Sequence, residues 1–306
     1  VPPAEPRRLR ARCRELLVAL AADALLGDPP NRLHPVVGMG RWLSWGERLA
    51  PAGARPRLGW GAAWLLAGAG LSGGLAALAP DWPAARGALA STLLAYRGLD
   101  RAVGEVQAAL ERADLGEARR LLGWHLVSRP TAELRADEVA AAAVESLAEN
   151  LSDSLVAPLL AHLAGGLPGT AIYRFANTAD AMWGYRDERY MYLGKPAARL
   201  DDLLNLAPAR LTAALIALAA QIVRGRGGAA WRAALRDHGR TASPNAGWPM
   251  AAMAGALDTT LTKRGHYTLG DGRRAPDHAM VAEARAIGRA VPLLLAAPLT
   301  YGALYA

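Results

Sequence analysis

Between Glu145 and Asn205, three clusters of acidic and amide side chains alternate with apolar sequence. The first holds Glu145, Glu149, Asn150 and Asp153, the second Asn177 and Asp180, the third Asp201, Asp202 and Asn205. From Leu155 to Tyr173 there is no Asp, Glu, Lys or Arg. A bilayer-spanning helix needs about 20 mainly apolar residues, and this run approaches that length. Carboxylates beside such a run are expensive in lipid, so they invite a functional explanation. Lipid offers no partner to an open strand edge, so a chain patterned this way is expected to be helical.

On a helix, Glu145, Glu149 and Asp153 fall at i, i+4 and i+8 and share one face. Like charges at this spacing destabilise a helix by about 0.2–0.5 kcal/mol, and a cation between them reverses the sign. Oxygen-only donors suit Mg²⁺, which keeps several waters and is usually held by one or two carboxylates plus substrate phosphates. Asn177 with Asp180, and Asp201 with Asn205, repeat the device. The candidate metal ligands are therefore Glu145, Glu149, Asp153, Asp180 and Asp201. The plainer reading is a set of solvated helix faces and caps.

Composition narrows the class. The mean hydropathy is +0.09, too low for a saturated bundle of spans. A single cysteine, Cys13, excludes an internal disulfide and a cysteine zinc cluster. The formal net charge of +8 comes almost wholly from arginine and suits anionic lipid or an anionic substrate. No nucleic-acid motif accompanies it, so nucleic acid is not an expected partner.

Along the chain, Val1 to Arg14 is basic, and Leu16 to Gly27 is an apolar run broken by Asp23. Together they read as a first membrane-associated helix with its basic start held on the cytoplasmic side. Asp28 to Trp42 contains two proline turns and reads as a rigid loop, with Asp28, His34 and Arg41 as candidate pocket residues. Leu58 to Pro80 is uncharged and long enough to span, with Gly59, Ala63, Gly70 and Gly74 suited to close helix packing. Asp114 is placed to cap a short helix. Ser128, Arg129 and Thr131 are candidate anion contacts, with Thr131 also a candidate cap. Leu206 to Val223 and Val291 to Ala306 read as further membrane segments. Asn245 is a candidate substrate contact or the centre of an Asx-turn. Lys263 to Pro276 reads as a polar loop or hairpin. The expected architecture is all-α: a polytopic integral membrane protein with four or five apolar helices and polar helices and loops between them. It forms one domain over residues 1–306, with a more polar insertion at about 224–286. There is no Walker P-loop and no HExxH. A nucleotide would then be held by carboxylate-bound Mg²⁺ and by cations such as Lys195, Arg199, Arg186 and Arg189.

Five stretches, in order, carry a resemblance: DALLGDPPNRLHPVVGMGRW, VESLAENLSDSLVAPLL, GGLPGTAIYRFANTADAMWGYRDERY, GKPAARLDDLLNLAPARLTA and SPNAGWPMAAMAGAL. Together they resemble the adenosylcobinamide-phosphate synthase family, the integral membrane enzyme of cobalamin biosynthesis. Two departures stand out. Pro130 follows VSR where the family usually has Asp, and Ala181 replaces a serine in NTADAM.

The resemblance implies an ATP- and Mg²⁺-dependent ligase joining adenosylcobyric acid to (R)-1-aminopropan-2-ol or its O-phosphate. It further implies a multi-pass protein of the cell (inner) membrane, in contact with lipid, with its active site on the cytoplasmic side. Contact with other cobalamin-pathway enzymes is compatible with this; the oligomeric state is open. The catalytic candidates are Glu145, Glu149, Asp153, Lys195 and, as base, His34. The candidates for binding substrate or phosphate are Asp28, Arg41, Arg129, Asn150, Asn177, Arg199, Asn205 and Asn245. A membrane prenyltransferase, with Mg²⁺-diphosphate on the Asn/Asp clusters, is an alternative. So is a transport or assembly subunit with the carboxylates as an ion path.

Overall fold

A computed structural model describes residues 4–305; Val1–Pro3 and Ala306 lie outside the described residues. The fold is all-α apart from one small hairpin. Three segments are long and apolar enough to cross a membrane: Ala136–Trp183, Leu206–Arg224 and His278–Tyr305. The chain divides into two compact units and passes between them repeatedly.

The first unit contains α1 (Ala4–Leu26), α2 (Pro35–Arg48), α3 (Ala54–Ala77), α4 (Pro83–Ser91), α8 (Ala157–Trp183) and α9 (Lys195–Leu204). The last turns of α13 (His278–Tyr305), from Pro298 on, also belong to it. Its core is Leu43, Leu65, Leu93, Leu94, Leu167, Phe175, Trp183 and Leu193. Tryptophans lock α2 to α3. The rings of Trp42 and Trp64 stack at 4.7 Å, and the Trp64 indole donates to the Trp42 carbonyl at 3.0 Å. The Trp60 indole donates to the Gly46 carbonyl at 2.8 Å.

Helix α3 forms as expected, but it is not among the three spanning segments, because its glycines and tryptophans dilute its hydropathy. Its packing face also differs from the expected one. Gly59, Gly70 and Gly74 face open space, whereas a Cβ on Gly68 would collide with the Phe175 ring and the Trp42 indole. A helix that is apolar all round gives no amphipathic stripe from which to read its phase.

The stretch expected to be a loop at Asp28–Trp42 is mostly helix. Pro35 occupies the first turn of α2, where its missing N–H costs nothing, and His34 is the N-cap. Arg41 therefore sits on a helix. In α8, Gly166 breaks the helix with φ +63°, and Pro168 follows. Pro168 has no N–H to offer the Ala164 carbonyl. Arg12 of α1 supplies the donor instead, its Nη1 reaching Leu163 O at 2.7 Å and Ala164 O at 3.0 Å.

The second unit contains α5 (Tyr96–Glu111), α6 (Leu115–His125), α7 (Ala136–Leu151), a π-helical turn (Ser152–Val156) and α10 (Leu206–Arg224). It continues with α11 (Gly227–Asp237), α12 (Gly247–Leu257), the hairpin β1 (Leu261–Lys263) and β2 (Tyr267–Leu269), and α13 as far as Ala297. The polar stretch at 224–286 falls within this unit. Helix α7 is buried along Val139–Ala148. Asp114 caps α6 as expected, accepting from Glu117 N at 3.0 Å. Thr131 does not cap α7; its hydroxyl donates to the Arg119 carbonyl at 2.8 Å. Asp100 of α5 receives both Arg285 and Arg289 of α13.

Candidate active site

In the second unit, Glu138, Glu145 and Glu149 succeed one another along α7 at seven and four residues, close to one helical face. The hairpin lies against this helix, anchored by an ion pair between Arg264 and Glu138 at 2.6 Å. Lys263 and Tyr267 are directly opposite in the hairpin and so share one of its faces. Both act on Glu145, as does Arg129 from the loop before α7. Glu145 is 5% exposed, and its Oε1 is buried without a hydrogen-bond partner. A buried carboxylate oxygen with no donor is costly and calls for a ligand or ion. The Tyr267 hydroxyl donates to Met250 Sδ at 3.7 Å, and its phenol lies within the field of Glu145. Burial and the carboxylates of Glu145 and Glu149 push the phenol well above its ordinary value, so Tyr267 acts as a proton-bearing donor.

The other candidates of this unit have distinct surroundings. Asp153 lies in the π-helical turn, which interrupts the α-helical ladder assumed in the i, i+4, i+8 spacing. Asn150 bonds back to its own helix, its amide donating to Ser146 O at 2.9 Å. Asn245 is buried, with Oδ1 3.4 Å from Arg210 Nη1. In the turn around it the Ser243 hydroxyl accepts from the Asn245 and Ala246 amides.

The first unit holds the remaining candidates. Asp201 is the hub of an amide network. Its Oδ1 accepts from the Asn177 amide at 3.2 Å and its Oδ2 from the Asn205 amide at 3.0 Å. Tyr173 donates to Asn205 Oδ1 at 3.0 Å, and Arg174 donates to Asn177 Oδ1 at 3.2 Å. Burial raises the Asp201 carboxyl while the two amides oppose this. Asp180 is half-buried near the end of α8, and Lys195 and Arg199 are exposed on α9. His34 uses Nδ1 to accept the Val36 amide at 3.3 Å, leaving Nε2 facing exposed Asp28 at 3.7 Å.

Two features were not singled out from the sequence. One is the pair Lys263 and Tyr267. The other is a buried network in the first unit, where His162 joins Glu15 and Thr170. A cavity of about 570 Å³ in the first unit is lined by α2, α3, α4 and α8 residues, none of them charged. It includes Ser72, whose surroundings GLSGG match a GxSxG spelling. Ser72 sits inside a continuous helix with no histidine or acid in that lining, so it forms no nucleophile elbow.

Among the described residues, no group of three or more His, Cys, Asp or Glu is gathered to hold a metal ion. The orphaned Glu145 oxygen with Glu149 one turn on still fits a hard cation that takes its other ligands from water and phosphate.

A helical membrane protein with buried carboxylates set against basic side chains is the class defined by this fold and site. The chain belongs to the CobD/Cbib protein family, whose sequence profile matches residues 16–294. It is 42% identical over 265 residues to "Cobalamin biosynthesis protein CobD" of Dehalococcoides mccartyi, covering 83% of this chain and 85% of that one. It is 43% identical over 261 residues to the CobD protein of Geobacter metallireducens, with 80% of each covered. To "Cobalamin biosynthesis protein CbiB" of Salmonella choleraesuis it is 36% identical over 263 residues, with 82% of each covered. No solved structure matches the chain.

Proposed function

We propose that this protein acts in cobalamin biosynthesis as an amide ligase, joining adenosylcobyric acid to (R)-1-aminopropan-2-ol or its O-phosphate. The observation that carries the reading is the buried, unpartnered Glu145 oxygen facing Arg129, Lys263 and Tyr267. A carboxylate is a poor acyl donor, so the propionate oxygen attacks the γ-phosphorus of ATP, releasing ADP and leaving an acyl phosphate. The amine then attacks the acyl carbon, inorganic phosphate departs, and the nitrogen loses a proton. Mg²⁺ held by Glu145 and Glu149 would neutralise phosphoryl charge. Arg129 and Lys263 supply fixed positive charge toward the phosphates. Tyr267, whose hydroxyl donates to Met250 Sδ, keeps its proton and can turn it to a phosphoryl oxygen beside Glu145. The network around Asp201 positions side chains within the first unit. The protein is placed by this reading in the cell (inner) membrane, with the reaction on the cytoplasmic side.

The ligase reading is preferred to a prenyltransferase because the relatives carry cobalamin-biosynthesis names. The test is detergent-purified protein with adenosylcobyric acid, each amine, ATP and Mg²⁺, read by mass spectrometry. A corrinoid heavier by the bound amine, with ADP formed, is expected. Glu145→Gln and Glu149→Gln should each lower kcat at least a hundredfold while the protein stays folded. Near-normal turnover in both would overturn the site assignment.

A further inference from the structure

Helix α2 presents a stripe that the reaction above does not use. Val37, Gly40, Arg41, Ser44, Trp45 and Arg48 recur at three- and four-residue steps and so lie on one face. With Met182 of α8 they line a cleft of about 510 Å³. Arg41 and Arg48 are both exposed, and among the described residues neither forms an ion pair. They stand seven residues apart, about 10.5 Å along the axis, with Ser44 and Trp45 between them.

Trp45 is 54% exposed, yet its ring is fixed edge-on against Trp42 at 5.9 Å and Trp64 at 5.3 Å. It is a rigid aromatic wall with one side open. A second, smaller hollow of about 290 Å³ continues from the first through Ser44 and Arg48 to Glu47 and Arg189. Glu47 is the one acid there, and Arg189 Nε holds it at 2.5 Å. The local field on an incoming anion is therefore set by Arg41 and Arg48.

We propose that this stripe is a binding site for a phosphate-bearing ligand. The two guanidiniums and the Ser44 hydroxyl take the phosphate oxygens, and the apolar or aromatic remainder packs on Trp45 and Met182. Guanidinium suits this because its planar fork pairs with two phosphate oxygens at once. The phosphate can be that of a nucleotide or of a phospholipid headgroup. The proposal stands independently of the ligase reading.

The experiment has two arms, each comparing wild type with Arg41→Gln/Arg48→Gln and with Arg41→Lys/Arg48→Lys. In the first, run in a Glu145→Gln/Glu149→Gln background that disables the ATP site proposed for the reaction, equilibrium dialysis measures binding of labelled ATP without substrate, with inorganic phosphate as competitor. In the second, native mass spectrometry counts phosphatidylglycerol and phosphatidylcholine retained from nanodiscs. Loss of at least tenfold in ATP affinity in the glutamine variant, with partial recovery in the lysine variant, supports the site with a nucleotide occupant. Loss of retained phosphatidylglycerol in place of that supports it with a lipid occupant. Circular dichroism establishes that the variants are folded, and Trp45→Ala should weaken whichever ligand binds by several-fold. If the glutamine variant binds ATP and retains lipid like wild type, or wild type does neither, the proposal is overturned.

Discussion

His162 Nε2 lies 2.7 Å from Glu15 Oε2, joining α8 to α1 within the first unit, with both side chains buried. The other ring nitrogen meets Thr170 Oγ1 at 2.9 Å, and Arg86 Nε stands 3.6 Å from Glu15 Oε1. Removing one partner of a buried ionic network is far costlier than replacing all of it, at about 3–5 kcal/mol. Glu15→Leu removes the buried acid from both His162 and Arg86, leaving Arg86 only the exposed Asp81 at 3.8 Å, whereas His162→Leu leaves Glu15 with Arg86. Thermal unfolding in detergent should rank Glu15→Leu as the less stable, with Glu15→Leu/His162→Leu recovering part of that loss. Additive losses would show that the two side chains do not act together.

The packing phase of α3 predicts opposite results for similar substitutions. Gly68→Leu drives a side chain into Phe175 and Trp42 and should cost about 1–3 kcal/mol or more. Gly70→Leu and Gly74→Leu project into open space and should leave unfolding nearly unchanged. Equal effects at all three positions would contradict the packing described.

Asp100 gives a pH dependence of known sign. Burial alone would raise its carboxyl, but hydrogen bonds and charge from Arg285 and Arg289 hold it below the ordinary 3.8. Its contribution is present above that value and is lost as the pH falls below it, because the folded state then gives up a favourable charge. Thermal denaturation of wild type should exceed that of Asp100→Asn by a constant margin at neutral pH, and the margin should close below about pH 4. A margin that persists at low pH would assign the stabilisation to packing.

His34 serves two readings that one substitution separates. His34→Ala should cost about 1 kcal/mol through loss of the cap, and His34→Asn should restore most of it. With Nδ1 committed to the Val36 amide, His34→Asn should also keep turnover. A hundredfold fall in turnover with stability restored would instead make Nε2 the base for the amine.

Tyr267→Phe removes a hydroxyl and little else. In the proposed reaction the hydroxyl turns from Met250 Sδ to a charged phosphoryl oxygen. A hydrogen bond to a charged group contributes about 1.5–3 kcal/mol, so a roughly tenfold to hundredfold loss of kcat is expected with unfolding unchanged. Unaltered kcat would remove Tyr267 from the site.

What could be read from residues alone follows the range of the interaction. The Asp114 cap, the apolar segment at Leu206 and the α7 carboxylate spacing are local, and they appear in the fold. Five motifs in order sufficed for the family. The Glu15–His162 pair is separated by 147 residues and has no local periodicity. A carboxylate at the edge of one apolar run and a histidine inside another were the only signals. Lys263 and Tyr267 come together through strand pairing across a short turn, so neither residue type nor spacing identified them. The i+8 position of Asp153 holds only on an unbroken α-helix, and the π-helical turn at Ser152 is not written in any single residue. In Asp28–Trp42 the prolines read as breakers, whereas Pro35 starts a helix.

Arg12 also has a bearing on how the chain is built. Synthesis runs from N-terminus to C-terminus, so α1 is made before α8. The donor for the Leu163 and Ala164 carbonyls thus exists before the break at Gly166 is translated. Should α8 enter lipid ahead of its docking on α1, those two carbonyls would meet hydrocarbon unsatisfied. The break in α8 thus completes its backbone pairing with a side chain from a segment synthesised 151 residues before Leu163.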